Sequence, residues 1–210
     1  MLDWKSFTIV CLTSISLLSA CSSNNSTVKQ EKTIVSNDAA ELQQRNANVR
    51  PVSNSERFAG TLKAHNTVRR AHNLQPLIWS DSLAAYAQEW ANHLASTNNC
   101  QMRHRPNSGR FKQQYGENLW WASPRIWSDG ITEVQKITIG RVVKDWADEK
   151  PFYNYRNNSC QPGQQCGHYT QLVWRETTEV GCAYQQCSDK SQLWVCNYNP
   201  PGNYIGERPY

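Results

Sequence analysis

The sequence lacks the signatures of several common protein classes. It contains no Gly-x-Ser-x-Gly or His-Glu-x-x-His motif, so serine hydrolases and zinc peptidases of those types have no support. No Cys-x-x-Cys pair is present, which disfavours a structural zinc site. The excess of positive charge is also small, since the formal net charge is +5 and the charged residues are scattered along the chain. No nucleic-acid partner is therefore expected.

The first 20 residues have the layout of a secretory signal peptide. Lys5 precedes an apolar run from Phe7 to Leu18, which is shorter than the roughly 20 residues that a membrane-spanning helix needs. The run ends in Leu18-Ser19-Ala20-Cys21, which resembles a bacterial lipobox. The resemblance implies cleavage before Cys21, a lipid on its thiol and attachment to a membrane. Ser22 favours an outer-membrane lipoprotein, and a secreted extracellular protein is the alternative.

Two further regions follow the signal peptide over 1–20. Residues 22–57 contain no aromatic residue and are mostly polar, which predicts a disordered tether over 21–57. Nearly all of the nine Trp and nine Tyr follow residue 57 and can build a core. One folded domain is therefore expected over 58–210.

Within this domain, the apolar pattern predicts helices first and strands last. Helical spacing predicts a first helix within 57–72, a second over 83–94 with Ser80 or Asp81 as N-cap, and a third over about 132–149. Loops are expected over 97–118 and 150–168. Alternation of period two predicts strands over 171–174, 180–184 and 193–198. This order is typical of an α+β fold.

The cysteines fall into separate groups. Of the eight, Cys11 lies in the signal peptide and Cys21 at the predicted anchor. The other six are Cys100, Cys160, Cys166, Cys182, Cys187 and Cys196. Six cysteines in an exported domain predict three disulfides, whose pairing the spacing alone leaves open. If all six are paired, no thiol remains as a catalytic nucleophile.

Six motifs appear in order along the domain: Leu62-Lys63-Ala64-His65-Asn66 with Arg69, Tyr115-Gly116-Glu117-Asn118-Leu119, Trp146-Ala147-Asp148-Glu149, Cys166-Gly167-His168-Tyr169-Thr170-Gln171, Val180-Gly181-Cys182-Ala183 and Cys196-Asn197-Tyr198-Asn199-Pro200-Pro201-Gly202-Asn203-Tyr204. Together they resemble the CAP superfamily of cysteine-rich secretory proteins, antigen 5 and pathogenesis-related protein 1. The resemblance implies a three-layer α–β–α sandwich with a central antiparallel sheet. It also implies the disulfides Cys100–Cys187, Cys160–Cys166 and Cys182–Cys196.

The same resemblance implies a cleft lined by two histidines and two glutamates. In this sequence they are Glu117 of Gly-Glu-Asn, Glu149 of Trp-x-x-Glu, His168 of Gly-His-Tyr-Thr-Gln, and His104, which follows Cys100. The stretch leading from His104 to Glu117 is longer and more basic than in the plant proteins. Its basic residues, counting the one just before His104, are Arg103, Arg105, Arg110 and Lys112.

Such a set of side chains has three possible roles. The imidazoles can bind a divalent cation, above all Zn²⁺, although no cofactor is required. The carboxylates can tune the histidines for general acid–base chemistry. Alternatively, the four side chains form a hydrogen-bonded cluster that orders the cleft.

Other residues have simpler interpretations. His65 and Asn66 are expected to form a satisfied hydrogen-bonded pair against the sheet, while His72 and His93 are expected at the surface. The tryptophans Trp120, Trp121 and Trp127 belong either to the core or to an apolar patch near the cleft that suits a lipid or a glycan.

Three functions follow from these features. The first is an anchored binding module that takes an apolar or metal-linked ligand, such as a lipid or sterol, in the His/Glu cleft. The second is a hydrolase or peptidase that uses the cluster, and the third is an extracellular interaction scaffold. The sequence leaves enzymatic activity and oligomeric state open, because one fold supports many functions.

Overall fold

The computed structural model describes residues 57–97 and 100–210. The predicted signal peptide, Cys21 and the tether up to residue 56 lie outside the described residues. Arg57, predicted as the last tether residue, places its guanidinium 3.4 Å from the ring centroid of Tyr184. The packed domain therefore includes Arg57.

Four α-helices and one 3₁₀ turn form in the described residues: α1 (Thr61–Arg70), α2 (Asp81–Thr97), α3 (Ile139–Ala147), the turn Lys150–Phe152, and α4 (Gly167–Leu172). The apolar residues of α2 recur at helical spacing and are buried: Leu83, Ala87, Trp90, Ala91 and Leu94. The first two predicted helices are thus confirmed.

The strands of the described residues are β1 (Ile78–Trp79), β2 (Gly116–Ala122), β3 (Arg125–Ile126), β4 (Thr132–Glu133), β5 (Tyr153–Asn154), β6 (Ser159–Cys160), β7 (Glu179–Gln186) and β8 (Gln192–Asn199). The main sheet has the order β1-β7-β8-β2. Its three long strands are antiparallel, as expected, while the two-residue β1 pairs parallel to β7 and makes the sheet mixed. Two small hairpins, β3–β4 and β5–β6, lie outside it.

Both faces of this sheet are covered by helices. Along β8, Leu193 and Val195 point into a core shared with α2, since successive strand residues face opposite sides. Trp194, Cys196 and Tyr198 point into a second core shared with α3 and α4. The described domain is therefore the three-layer α–β–α sandwich that the resemblance implied.

Four predicted segments were wrong in part. Residues 171–174, expected as a strand, are the end of α4 and the turn after it; all four are buried, and a fully buried run has no periodicity that separates helix from strand. The third helix spans only residues 139–147, because Thr138 caps it by accepting a hydrogen bond from the backbone nitrogen of Arg141 at 3.3 Å. The strand β2 was not predicted and begins inside the predicted loop 97–118. The predicted loop 150–168 contains the turn Lys150–Phe152, the hairpin β5–β6 and the start of α4.

Three disulfides join the cysteines of the described domain: Cys100–Cys187, Cys160–Cys166 and Cys182–Cys196. This is the pairing that the resemblance implied. The first links residues 87 positions apart and connects the end of α2 to the end of β7. The third joins the adjacent strands β7 and β8 at directly opposed positions.

A buried arginine fastens α1 to the chain after α4. Arg69 is fully buried, and burial lowers its pKa to about 10, which leaves it protonated at neutral pH. Its guanidinium donates to carbonyl oxygens rather than to a carboxylate: those of Gln75, Leu172, Trp174 and Thr177, at 2.7–3.0 Å. Each buried donor and acceptor in this contact is thereby satisfied.

A second buried contact extends from α1 to the sheet. The Nδ1 atom of His65 donates to the carbonyl of Thr61 at 2.8 Å, and its Nε2 atom accepts from the hydroxyl of Tyr198 at 3.0 Å. Burial lowers the pKa of His65 to about 4, against a smaller opposing effect of the Thr61 hydrogen bond. His65 is therefore a neutral, satisfied core residue, as predicted. Asn66 bonds Leu77 through both its amide nitrogen and its oxygen.

Candidate functional site

The predicted site residues come from four separate parts of the fold. His104 lies in the loop between α2 and β2, Glu117 is the second residue of β2, Glu149 follows α3, and His168 is the second residue of α4. His104, Glu117 and His168 line one cleft of about 610 Å³, and Glu149 contacts His168. The structure thus brings all four into a single site.

On one wall of the cleft, Glu117 holds His104. The Nδ1 atom of His104 lies 2.7 Å from Oε1 of Glu117, which also accepts a hydrogen bond from the backbone nitrogen of Arg105 at 3.2 Å. The Glu117 side chain is fully buried, whereas 57% of the His104 side chain is exposed. The buried carboxylate therefore fixes the ring through Nδ1, and the rest of the ring stays exposed in the cleft.

The second histidine is held in the same way. The Nδ1 atom of His168 lies 2.6 Å from Oε1 of Glu149. The other carboxylate oxygen accepts from the backbone nitrogens of His168 at 3.0 Å and Tyr169 at 3.1 Å, so that Glu149 also satisfies free donors at the start of α4. Most of both side chains is buried, with 23% of His168 and 14% of Glu149 exposed.

These two contacts determine which ring nitrogens remain available. A carboxylate accepts hydrogen bonds, so each Nδ1 atom carries a proton, and in the neutral form of each ring the lone pair is on Nε2. Histidine ligands of metal ions in proteins are commonly held by a carboxylate through their other nitrogen. Chemically, the arrangement offers two oriented imidazole Nε2 atoms that can bind a cation or accept a proton.

The floor of the cleft is connected to the buried core. The side-chain nitrogen of Asn118 donates to the carbonyl of His168 at 3.1 Å and to the hydroxyl of Tyr198 at 3.4 Å. Tyr198 in turn bonds to His65, and burial raises the pKa of its hydroxyl. Asn118 thus ties β2, α4 and, through Tyr198, α1 together beneath the cleft. Sequence reasoning gave Asn118 no role, although it stands in the Gly-Glu-Asn motif.

Comparison with known proteins shows which family this chain belongs to. The model of CAP, the cysteine-rich secretory protein family, matches residues 62–198. The pathogenesis-related protein PR-1 of Medicago truncatula is 47% identical over 146 residues, which cover 69% of this chain and 74% of that protein. The chain belongs to the CAP family.

Solved structures agree with this fold. The venom allergen-like protein 4 of Schistosoma mansoni is 29% identical, with a TM-score of 0.50 over 72% of this chain and 92% of that one. A structure titled NaASP2 with Zn²⁺ is 22% identical and shares the fold, with a TM-score of 0.56 over 76% of this chain and 87% of that one. The family is one of secretory proteins, and disulfides persist in oxidising compartments, so this CAP protein is an exported one.

The cleft of this CAP domain is lined mainly by amide side chains. They are Asn107, Gln113, Gln114, Asn118, Gln165, Gln171 and Asn203. Gln171 is held by the backbone nitrogen of Gly202 at 3.0 Å, and a side chain at Gly116 would collide with it. Asn203 is tied to α4 through the carbonyl of Gly167 at 2.9 Å. The amide lining was not predicted from the sequence, although the adjacent pair Gln113-Gln114 was a visible signal.

Within residues 57–97 and 100–210, no three His, Cys, Asp or Glu side chains are grouped as ligands of one metal ion. The described part of the cleft therefore offers two histidine nitrogens and open positions around them, rather than a closed metal site. In the same ranges, no helix has the length and apolar character needed to cross a membrane.

The three tryptophans that follow the Gly-Glu-Asn motif, Trp120, Trp121 and Trp127, do not line the cleft. Trp120 is half-buried and donates to Asp145 at 3.0 Å, whereas Trp121 and Trp127 are exposed. Trp121 stands five residues after Gly116 on β2, which at about 3.3 Å per residue places it roughly 17 Å from the cleft end of the strand. Trp121 is therefore at the other end of β2 and not beside the cleft.

Proposed function

We propose that this CAP protein is an exported, lipid-anchored binding module whose His/Glu cleft takes a ligand linked through a divalent cation. The observation that carries the proposal is the pair His104 and His168, each bonded at Nδ1 to a glutamate and each lining the same open cleft. Both rings are oriented before any ligand binds, which reduces the entropy lost on binding.

The donor set fits Zn²⁺, which binds imidazole nitrogens readily. The residues that would hold it are His104 and His168 through their Nε2 atoms, with Glu117 and Glu149 orienting the rings. A cation bound there would supply a local positive charge that attracts an anionic group of the ligand. The solved structure of NaASP2 with Zn²⁺ shares the fold and supports the choice of metal.

The polar lining favours a metal-linked ligand over the lipid or sterol that the sequence also suggested. Apolar ligands are held in pockets lined mainly by apolar and aromatic side chains. Of the residues lining this cleft, Tyr115 and Pro201 are the larger apolar ones, and seven are amides.

We expect calorimetric titration of the purified full-length protein with Zn²⁺ to show one site. His104→Ala and His168→Ala each remove a nitrogen ligand and should weaken binding at least about tenfold, and Glu149→Gln, which loosens the His168 ring, by about tenfold.

The matched control for this titration is His93→Gln, which removes an imidazole that does not line the cleft. It should leave the affinity for Zn²⁺ unchanged. Equal affinities of wild type, His104→Ala and His168→Ala would show that the cleft histidines do not bind the ion.

The anchor is proposed from the sequence Leu18-Ser19-Ala20-Cys21, with a lipid on Cys21 holding the protein at the outer membrane. Replacing Cys21 with serine should move the protein from the membrane fraction to the soluble fraction and abolish incorporation of labelled palmitate. A wild-type protein that is soluble and unlabelled would instead support the secreted form.

The hydrolase and the interaction scaffold stay predictions. Among the described residues, the two cleft histidines make their side-chain hydrogen bonds to glutamates and not to a serine, threonine or cysteine. All six cysteines of the described domain are in disulfides. The hydrolase therefore gains no nucleophile from the structure.

A further inference from the structure

The rim of the cleft on the His104 side carries three exposed cations. We call residues 101–115, between α2 and β2, the rim loop. Arg103, Arg110 and Lys112 are exposed in it and alternate with the cleft-lining residues His104, Asn107 and Gln113. The same segment that forms one wall of the cleft therefore also carries three exposed cations next to the lining residues in sequence.

The rim loop is held against α2 by several hydrogen bonds. The indole nitrogen of Trp90 donates to the carbonyl of Arg103 at 2.8 Å, and the hydroxyl of Tyr86 donates to the carbonyl of Lys112 at 3.0 Å. Between them, the buried side chain of Arg105 stacks on Tyr86 and bonds Glu89 at 3.1 Å. These bonds use backbone atoms of Arg103 and Lys112, so they fix the backbone and leave both charged side chains exposed.

No carboxylate of the described chain neutralises these three cations. None of Arg103, Arg110 and Lys112 forms an ion pair with a residue in the ranges 57–97 and 100–210. The nearby acidic residues are already engaged, since Glu89 bonds Arg105 and the buried Glu117 bonds His104. The rim loop is therefore a positive surface beside a cleft lined mainly by amides.

These two features select a ligand with both hydroxyl and anionic groups. Asparagine and glutamine amides offer donors and acceptors, which match the hydroxyls of sugars. Exposed guanidinium and ammonium groups match carboxylate and sulfate. Single-stranded nucleic acid is recognised largely by stacking on aromatic rings, and among the described lining residues Tyr115 supplies such a ring besides the two histidines held by glutamates.

We propose that the rim loop and the cleft together bind an anionic polysaccharide, a sugar chain that carries carboxylate or sulfate groups. Arg103, Arg110 and Lys112 bind the anionic groups, and the amide side chains of the cleft bind the hydroxyls of the same chain. This inference rests on the proposed function, because it assigns a ligand class to the same cleft. The cations of the rim act without a metal ion.

The test measures binding of the purified full-length protein to heparin, which is sulfated, and to polygalacturonate, which is carboxylated. Neutral dextran, oligo(dT) and vesicles of phosphatidylglycerol serve as comparison ligands, and EDTA is present throughout. The triple variant Arg103→Gln, Arg110→Gln, Lys112→Gln should bind the anionic polysaccharides about tenfold more weakly, since each exposed ion pair contributes modestly. The affinity of this variant for the polysaccharides should also depend less on salt concentration than that of the wild type.

The matched control, Lys63→Gln, Arg70→Gln, Arg175→Gln, removes three exposed cations outside the rim and should bind like the wild type. Stronger binding to heparin than to polygalacturonate identifies sulfate as the preferred group, and the reverse identifies carboxylate. Three results would overturn the inference. They are an equal loss of polysaccharide affinity in the two triple variants, binding to oligo(dT) or to the vesicles as strong as to the polysaccharides, and no binding to either polysaccharide. Zn²⁺ titration of the same protein reports the proposed function separately, because EDTA removes metal from the polysaccharide assay.

Discussion

Replacing Cys100 and Cys187 together with serine is expected to lower the free energy of unfolding by about 4–5 kcal/mol, as measured by urea denaturation. The disulfide closes a loop of 87 positions, and removing it restores the conformational entropy of that loop to the unfolded chain. The bridge also fixes the start of the rim loop to the end of β7, so the variant should lose order in the cleft wall.

The matched control is the pair Cys160 and Cys166, which closes a loop of only 6 positions. The same loop-entropy argument predicts that removing this disulfide lowers the free energy of unfolding by about 2 kcal/mol. Equal destabilisation by the two double substitutions would show that loop length does not determine the effect. A long-loop variant as stable as the wild type would contradict the expectation outright.

The second large effect concerns pH. Burial lowers the pKa of His65 to about 4, below its ordinary value of 6.5, so the folded state does not take up a proton until the pH nears 4. The unfolded chain takes up that proton as the pH falls through 6.5. The free energy of unfolding should therefore be highest above pH 6.5 and fall between pH 6.5 and 4, by roughly 3 kcal/mol from this residue.

Two measurements check this expectation. The ring signals of His65 in NMR spectra should stay those of a neutral imidazole down to about pH 4. His65→Gln keeps a donor and an acceptor but does not titrate, so its stability should vary less between pH 6.5 and 4 than that of the wild type or of His93→Gln. A His65 signal that titrates near pH 6.5 in the folded protein would contradict the account.

The sequence predicted the elements whose burial pattern is regular. The stripe from Leu83 to Leu94 predicted α2, and the alternation around Leu193 to Tyr198 predicted β8, whose two sets of side chains fill two different cores. The segment 171–174 was misassigned because all four of its side chains are buried, and burial on all sides removes the periodic signal. The whole of β2 was missed, because its first residues, Gly116, Glu117 and Asn118, have low strand propensity.

The candidate site was likewise predicted only in part. The motifs containing Glu117, Glu149 and His168, together with the position of His104 after Cys100, predicted which residues meet, but not which glutamate holds which histidine. That pairing depends on distances set by β2, α3 and α4 packing together, and no local pattern reports them. The amide lining was missed because it assembles from the rim loop, β2, α4 and the 201–203 segment, each of which contributes one to three side chains.

The central claim is that His104 and His168 present their Nε2 atoms to one cation. The most direct test is a crystal of the full-length protein soaked in Zn²⁺, with anomalous diffraction data collected at the zinc edge. The account predicts one peak in the cleft at about 2 Å from Nε2 of both histidines. No peak in the cleft, or a peak bonded to only one of the two rings, would contradict it.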